Sequence, residues 1–193
     1  MKEAMDKDFI IEHTQAWLNR AVIGLNLCPF AKAVAVKGQI RYVVSEAHTT
    51  QDLFDELCLE LQHLAQTSPS TTDTTLLIHP QVLQDFIEYN DFLSLAELAV
   101  AQLGYQGMLQ IASFHPDFQF ADTEPADISN ATNRAPYPIL HLLREASIDK
   151  AVAAFPEAET IYERNIHTMQ KLEVDGWAKL QTMCVKDASG DDS

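Results

Sequence analysis

The chain of 193 residues has only six glycines, three cysteines and, from Tyr42 to Asn133, neither a lysine nor an arginine. Each shortage excludes something. With so little glycine there is no phosphate-cradling G-x-x-x-x-G-K and no G-x-G-x-x-G after a strand. G-x-S-x-G and H-E-x-x-H are missing too, so the usual ATP, NAD, serine-hydrolase and zincin readings fall away. Cys28, Cys58 and Cys184 are odd in number, far apart and form no C-x-x-C pair, which suits a reducing cytoplasm and argues against a cysteine zinc site. The cation-free interval carries 14 of the 28 acidic residues. Such a surface repels a nucleic-acid backbone, whose binding rests on cations neutralising phosphates. No apolar run approaches the ~18 residues of a membrane span. Met1 to Asp8 alternates Lys with acids instead of leading into a signal-peptide apolar region. The expectation is a cytoplasmic protein with neither nucleic acid nor membrane as partner, whose net charge of -15 serves solubility.

A chain this long buries roughly 70% of its unfolded surface and needs no disulfide or metal staple. Asp8 is a candidate cap for a first helix carrying Phe9, Ile10, His13, Trp17 and Ala21 at helical spacing, closed at Gly24. Ile40 to Ser45 reads as a strand. Thr49 with Asp52 opens a helix with a stripe of Leu53, Phe54, Leu57, Cys58, Leu61 and Leu64. Thr74 to Ile78 is a second strand ending at His79-Pro80. Val82 to Leu103 is helical with a break near Asn90-Asp91, and Met108 to Phe114 is a third strand ending at His115-Pro116. Pro116 to Pro138 is a long packed loop. Beyond it we expect a short helix from Ile139 to Glu145, another from Ser147 to Phe155, and one from about Ile161 to Leu172. The predicted fold is α/β or α+β. It is a single layered domain over residues 1–186, with a small β-α-β-α-β sheet, ferredoxin-like or short and parallel, covered by helices, a C-terminal helical region and a frayed acidic tail at 187–193.

The doubled strand-His-Pro feature is the main chemical lead. If the two strands are parallel neighbours, His79 and His115 emerge at one sheet edge, where open α/β sheets place ligands, and proline aims the preceding residue out of the strand. Alone, either histidine reads as an ordinary loop residue bonded to backbone. Behind them the loop offers Asp117, Asp122 and Glu124, then Asn133 and Arg134 ahead of Tyr137. On the helix expected next, His141, Arg144 and Glu145 stand at i, i+3 and i+4 and share a face. Glu163-Arg164-Asn165 follows, so three of the five arginines lie within 31 residues. Guanidinium groups recognise carboxylate and phosphate by paired hydrogen bonds, and such a cluster in an anionic chain points to an anion pocket or to neutralisation of nearby acids. Cys28, between a helix end and a proline, reads as buried packing unless a cation lowers its pKa.

Beyond single residues, several segments together are similar to the domain-of-unknown-function 1415 family over about Asp8 to Leu172. They are Trp17 with Gly24-Leu25-Asn26-Leu27-Cys28-Pro29-Phe30; Gln110-Ile111-Ala112-Ser113-Phe114-His115-Pro116-Asp117; Gln119-Phe120-Ala121-Asp122-Thr123-Glu124-Pro125; Asn133-Arg134-Ala135-Pro136-Tyr137-Pro138; His141-Leu142-Leu143-Arg144-Glu145; and Glu163-Arg164-Asn165. The resemblance implies a bacterial protein, with similar proteins in plastid-bearing organisms, and supplies no activity. It departs at Thr160-Ile161-Tyr162, which lacks a proline before Glu163. It implies a polar centre of Cys28, His115, Asp117, Asp122, Glu124, Asn133, Arg134, His141, Arg144, Arg164 and Asn165, without roles.

Three functions follow as expectations. In the first, an enzyme acts on a small phosphate- or carboxylate-bearing metabolite. His115 is the general acid or base, Asp117 or Glu124 orients it and His79 stands beside it. Arg134 and Arg144, with Asn133, Tyr137, Arg164 and Asn165, hold the anion, while Cys28, Asp122, His141 and Glu145 are further candidates. On that reading His115→Ala abolishes turnover and leaves the melting temperature nearly unchanged. In the second, His79, His115 and His141 with Asp117 or Asp122 bind a divalent metal. In the third, the loop and its arginines dock an acidic peptide without catalysis. No cofactor and no oligomeric state is specified by the residues.

Overall fold

The computed structural model describes residues 6–155 and 157–190. Short polar side chains set where the helices begin. Helix α1 (Lys7–Trp17) starts after Asp6, not Asp8, with the Asp6 carboxylate accepting from the Phe9 N–H, and runs on into a π-helical segment, Leu18–Ile23. A short α2 (Ala31–Val36), absent from the sequence reading, leads to β1 (Ile40–Val44). The expected Thr49 cap opens α3 (Thr50–Gln66): its hydroxyl oxygen accepts from the Asp52 N–H at 3.1 Å. After β2 (Thr74–Ile78), the Asp85 carboxylate accepts from the Ile87 and Glu88 N–H groups and starts α4 (Phe86–Gln102), which passes unbroken through Asn90-Asp91. Caps of this kind are each worth about 1 kcal/mol.

Next come β3 (Leu109–Phe114), a 3-10 segment (Ile128–Asn133), β4 (Ile139–Arg144), α5 (Glu145–Ala153) and α6 (Ile161–Ser189). The segment from Ile139, expected to be helical, is a strand. A six-residue apolar run between Pro138 and a helix cannot be told from a helix by periodicity, and here pairing on both sides decides it. The last helix runs well past Leu172, bends at Glu173 (φ 60°) and includes 187–189 of the expected acidic tail, where Asp187 is ion-paired with Arg20. Residues 191–193 of that tail and 1–5 of the amino-terminal stretch lie outside the described residues.

The sheet order is β1-β2-β4-β3, with β1 and β2 parallel and β4 antiparallel to both neighbours. This is a mixed α+β sheet in which β4 splits the β2-α4-β3 crossover. Both crossovers advance in the same direction across the sheet, so a common handedness puts α3 and α4 on one face. There Leu53, Leu57, Leu61 and Leu64 of α3 meet Tyr89, Phe92, Ala96 and Val100 of α4 over Leu77, Leu109, Leu140 and Leu142. On the other face Trp17, Leu18 and Ala21, with Met169, Trp177 and Cys184 of α6, cover Leu76, Ile78 and Ile139. Among the described residues no helix is long and apolar enough to cross a membrane.

Candidate functional site

β2 and β3 run the same way with β4 between them, so His79 and His115 do leave one sheet edge, and both turn to the α4 face. Tyr89 lies between them, its ring centroid 5.7 Å from His79 and 5.1 Å from His115. Neither imidazole is exposed. His79 Nδ1 donates to the Val82 carbonyl at 3.0 Å and His115 Nε2 to the Leu83 carbonyl at 3.2 Å. His115 Nδ1 in turn accepts from the Asp117 backbone N–H at 3.0 Å, so both its nitrogens are engaged by main chain. Asp117 thus orients His115, but through its amide, and its carboxylate is exposed. The two rings pin the turn that enters α4, where Leu83 holds a left-handed φ of 56°, a conformation worth of order 1 kcal/mol of strain. Burial pushes His79 down to about 4; burial also lowers His115, against the nearby Asp117 charge. Both rings are enclosed by protein, and among the described residues His79 Nε2 is buried without a hydrogen-bond partner. At this edge three of the four ring nitrogens meet main chain of the turns that follow β2 and β3.

The long loop is ordered by its own amides. Asn130 accepts from the Phe120 N–H and donates to the Glu124 carbonyl, and the Asn133 side chain donates to the Ser113 carbonyl while the Asn133 backbone carbonyl accepts from the His115 N–H. Arg134 donates to the Phe118 carbonyl at 3.2 Å and the Pro125 carbonyl at 2.8 Å. Asp122, at φ 64°, helps wall a hollow of about 360 Å³ between the loop and α4, lined also by Phe86, Asn90 and Phe120.

Other candidates are placed elsewhere. Because β4 is a strand, His141 and Arg144 project to opposite faces instead of sharing one. Arg144 lies at the far end of the sheet, opposite Leu109, and donates to the carbonyls of Leu64 and Thr67 at the end of α3 and of Thr72 in the loop before β2. Glu145 starts α5, and its N–H donates to the Met108 carbonyl. Asn165 is buried and donates to the Leu27 carbonyl, tying α6 to the half-buried Cys28 turn. Arg164 is exposed, its guanidinium 5.7 Å from the Phe155 ring centre. The Tyr137 hydroxyl is 3.1 Å from Nδ1 of His13, a residue the sequence reading passed over. The sheet itself lies between His141 and the His79–His115 pair, so these three cannot share an ion. Among the described residues no three His, Cys, Asp or Glu side chains gather as metal ligands.

One histidine remains available. His141 stands mid-strand on the α1 face, in a row Tyr42, Leu76, His141, Ala112 across the sheet. The Thr74 hydroxyl gives its single proton to the Leu142 carbonyl at 2.6 Å, so its oxygen accepts from His141 Nε2 at 2.7 Å. That relay fixes the Nε2–H tautomer and leaves the Nδ1 lone pair without a partner among the described residues, on a residue that is half-buried. Burial holds its pKa down at about 4 and raises that of Tyr42 to about 12, so at neutral pH the row offers one acceptor and one hydroxyl donor. Tyr42 and His141 are two strands apart, about 10 Å between Cα atoms. Tyr42 and Thr74 went unnoticed because nothing local marks them. Only the register of three strands distant in sequence puts them beside His141.

A family model described as "Protein of unknown function (DUF1415)" matches residues 9–179. The chain belongs to the DUF1415 family. No curated protein and no solved structure matches the DUF1415 chain. The matched span runs from the first turn of α1 into the distal half of α6. It therefore includes the whole sheet, the long loop and the Thr74–His141 relay.

Proposed function

We propose that this DUF1415 protein is an enzyme acting on a small anionic metabolite, with His141 rather than His115 as the group that exchanges a proton. The observation that carries the reading is the relay from the Leu142 carbonyl through Thr74 to His141 Nε2, which orients an imidazole and leaves its other nitrogen free. A base held by a third group is the arrangement acid–base catalysis requires. The free imidazole starts neutral, and an anion bound within about 4–6 Å raises its proton affinity, so substrate binding itself makes His141 a better acceptor.

The anionic substrate class is supported by a division among the arginines. Arg20 and Arg41 are ion-paired with Asp187 and Glu60. Arg134, Arg144 and Arg164 have no carboxylate partner among the described residues, although acids outnumber cations 28 to 13. Arg144 is consumed in holding the end of α3. Arg134 already gives Nε and Nη2 hydrogens to the Phe118 and Pro125 carbonyls, so Arg164 is the guanidinium left most open to meet phosphate or carboxylate.

A thermal-shift screen of phosphate- and carboxylate-bearing metabolites, followed by turnover assays of those that bind, tests this. His141→Gln should retain the fold and lower kcat by about 100-fold or more, the usual contribution of general acid–base catalysis. Thr74→Val should lower kcat by roughly tenfold by releasing the ring from its tautomer. Undiminished turnover in His141→Gln would refute the assignment.

A further inference from the structure

We propose that the outer face of α4, with the hollow at its amino-terminal end, is a docking surface for a basic amphipathic segment of a partner protein. Helix α4 is apolar on nearly every side, F-I-E-Y-N-D-F-L-S-L-A-E-L-A-V-A-Q, and such helices are normally enclosed. Here the sheet and α3 enclose one flank only. Ile87, Leu95 and Leu98 remain 71%, 48% and 47% exposed. At 100° per residue these three fall within an arc of about 80°, with exposed Asp91 inside the same arc between Ile87 and Leu95. The hollow of about 360 Å³ under Phe86, Ile87 and Phe120 continues that arc and gives an anchoring side chain a place to enter.

Charge decides the occupant. Exposed Glu88, Asp91 and Glu97 share this side of α4, and Asp122 walls the hollow. The whole interval from Tyr42 to Asn133 supplies no cation to offset them. None of these four carboxylates is ion-paired among the described residues. A second copy meeting this face about a two-fold axis would set acid against acid. A segment with leucine-like side chains on one face and arginine or lysine beside them satisfies both the arc and its carboxylates, in the manner of a helix laid in a groove. The polarity is opposite to that of the acidic peptide that the arginine cluster suggested, and the surface is separate from the His141 row, on the other side of the sheet.

The test uses the full chain and a synthetic Leu/Arg amphipathic peptide of roughly 16 residues, long enough to lie along the exposed part of α4. A Leu/Glu peptide of the same pattern is the control. Fluorescence anisotropy at about 0.15 M salt, where charge alone is screened beyond ~8 Å, should show saturable binding of the Leu/Arg peptide only. Hydrogen exchange should slow over Phe86 to Leu98 and Gln119 to Asp122. A triple variant, Ile87→Ser, Leu95→Ser and Leu98→Ser, folded by circular dichroism, should bind at least tenfold more weakly. The proposal is overturned by absent or non-saturable binding, by equal affinity in the triple variant, or by protection elsewhere. A dimer in sedimentation that the triple variant dissolves would also overturn it, making a second copy the occupant.

Discussion

Acidification from pH 7.5 to pH 5 at constant ionic strength should remove about 4 kcal/mol of stability, read as a fall in the urea midpoint. Two histidines account for it. Burial holds both His79 and His141 at about 4 in the fold, against an ordinary value near 6.5 once unfolded. Below 6.5 the unfolded chain therefore binds protons that the native state refuses. The stability these groups contribute is fully present above 6.5 and is lost progressively as pH falls towards 4, about 2 kcal/mol from each by pH 5. His115, also lowered by burial, adds in the same direction. Among the carboxylates, relief of self-repulsion in a chain at -15 acts the other way. The hydrogen-bonded Glu46, Asp127 and Asp187, held below their usual range, act the same way as the histidines, and both effects begin closer to the carboxylate range near 4. The window between 6.5 and 5 thus isolates the imidazoles. His141→Gln should flatten the profile by about half. A midpoint independent of pH across that window would show that these rings are not buried neutral.

Arg144→Ala should be among the most destabilising single substitutions in the protein, at about 3 kcal/mol or more. The side chain is 9% exposed and meets the carbonyls of Leu64, Thr67 and Thr72, the first two at 2.6 Å. The Leu64 and Thr67 oxygens sit where α3 ends, where the last carbonyls of a helix lack their usual partners, and the Thr72 oxygen sits in the loop before β2. A guanidinium there answers both the open acceptors and the negative end of the helix dipole. Its removal strands buried acceptors, each costing about 1–3 kcal/mol. For a domain of this size the melting temperature should fall by roughly 6–12 °C. Arg144→Lys, a point charge without the planar fork, should recover only part of the loss. A melting temperature unchanged in Arg144→Ala would return this residue to the anion-binding role that the sequence suggested.

What the sequence made legible was whatever depends on neighbours along the chain. The Thr49 cap, the leucine stripe of α3 and the Thr74 to Ile78 strand follow from local spacing and recur in the fold as read. The common edge of His79 and His115 is also found, but not between parallel neighbours: β4 lies between β2 and β3 and runs antiparallel to both. The errors begin where a long-range partner decides. Ile139 to Arg144 is a strand because β2 and β3 flank it, and that single change sends His141 and Arg144 to opposite faces. Burial could not be read either. His115 ends a strand before a proline as a catalytic residue would, yet Tyr89, Phe86 and the turn at Leu83 close over it. Conversely, Thr74 looked like an ordinary strand residue, and only its place across the ladder from Leu142 and His141 gives it a role.

The division of labour between the histidines is most directly tested by the nitrogen-15 spectrum of the imidazoles across a pH titration, assigned with His115→Gln and His141→Gln. The account predicts that His141 carries its proton on Nε2 and titrates near 4 in the free protein, and that its Nδ1 resonance moves when a bound anion is added. It predicts that His115 keeps one tautomer with neither nitrogen responding to ligand. A His141 ring protonated on Nδ1, or a His115 ring that responds to anions while His141 does not, would contradict it.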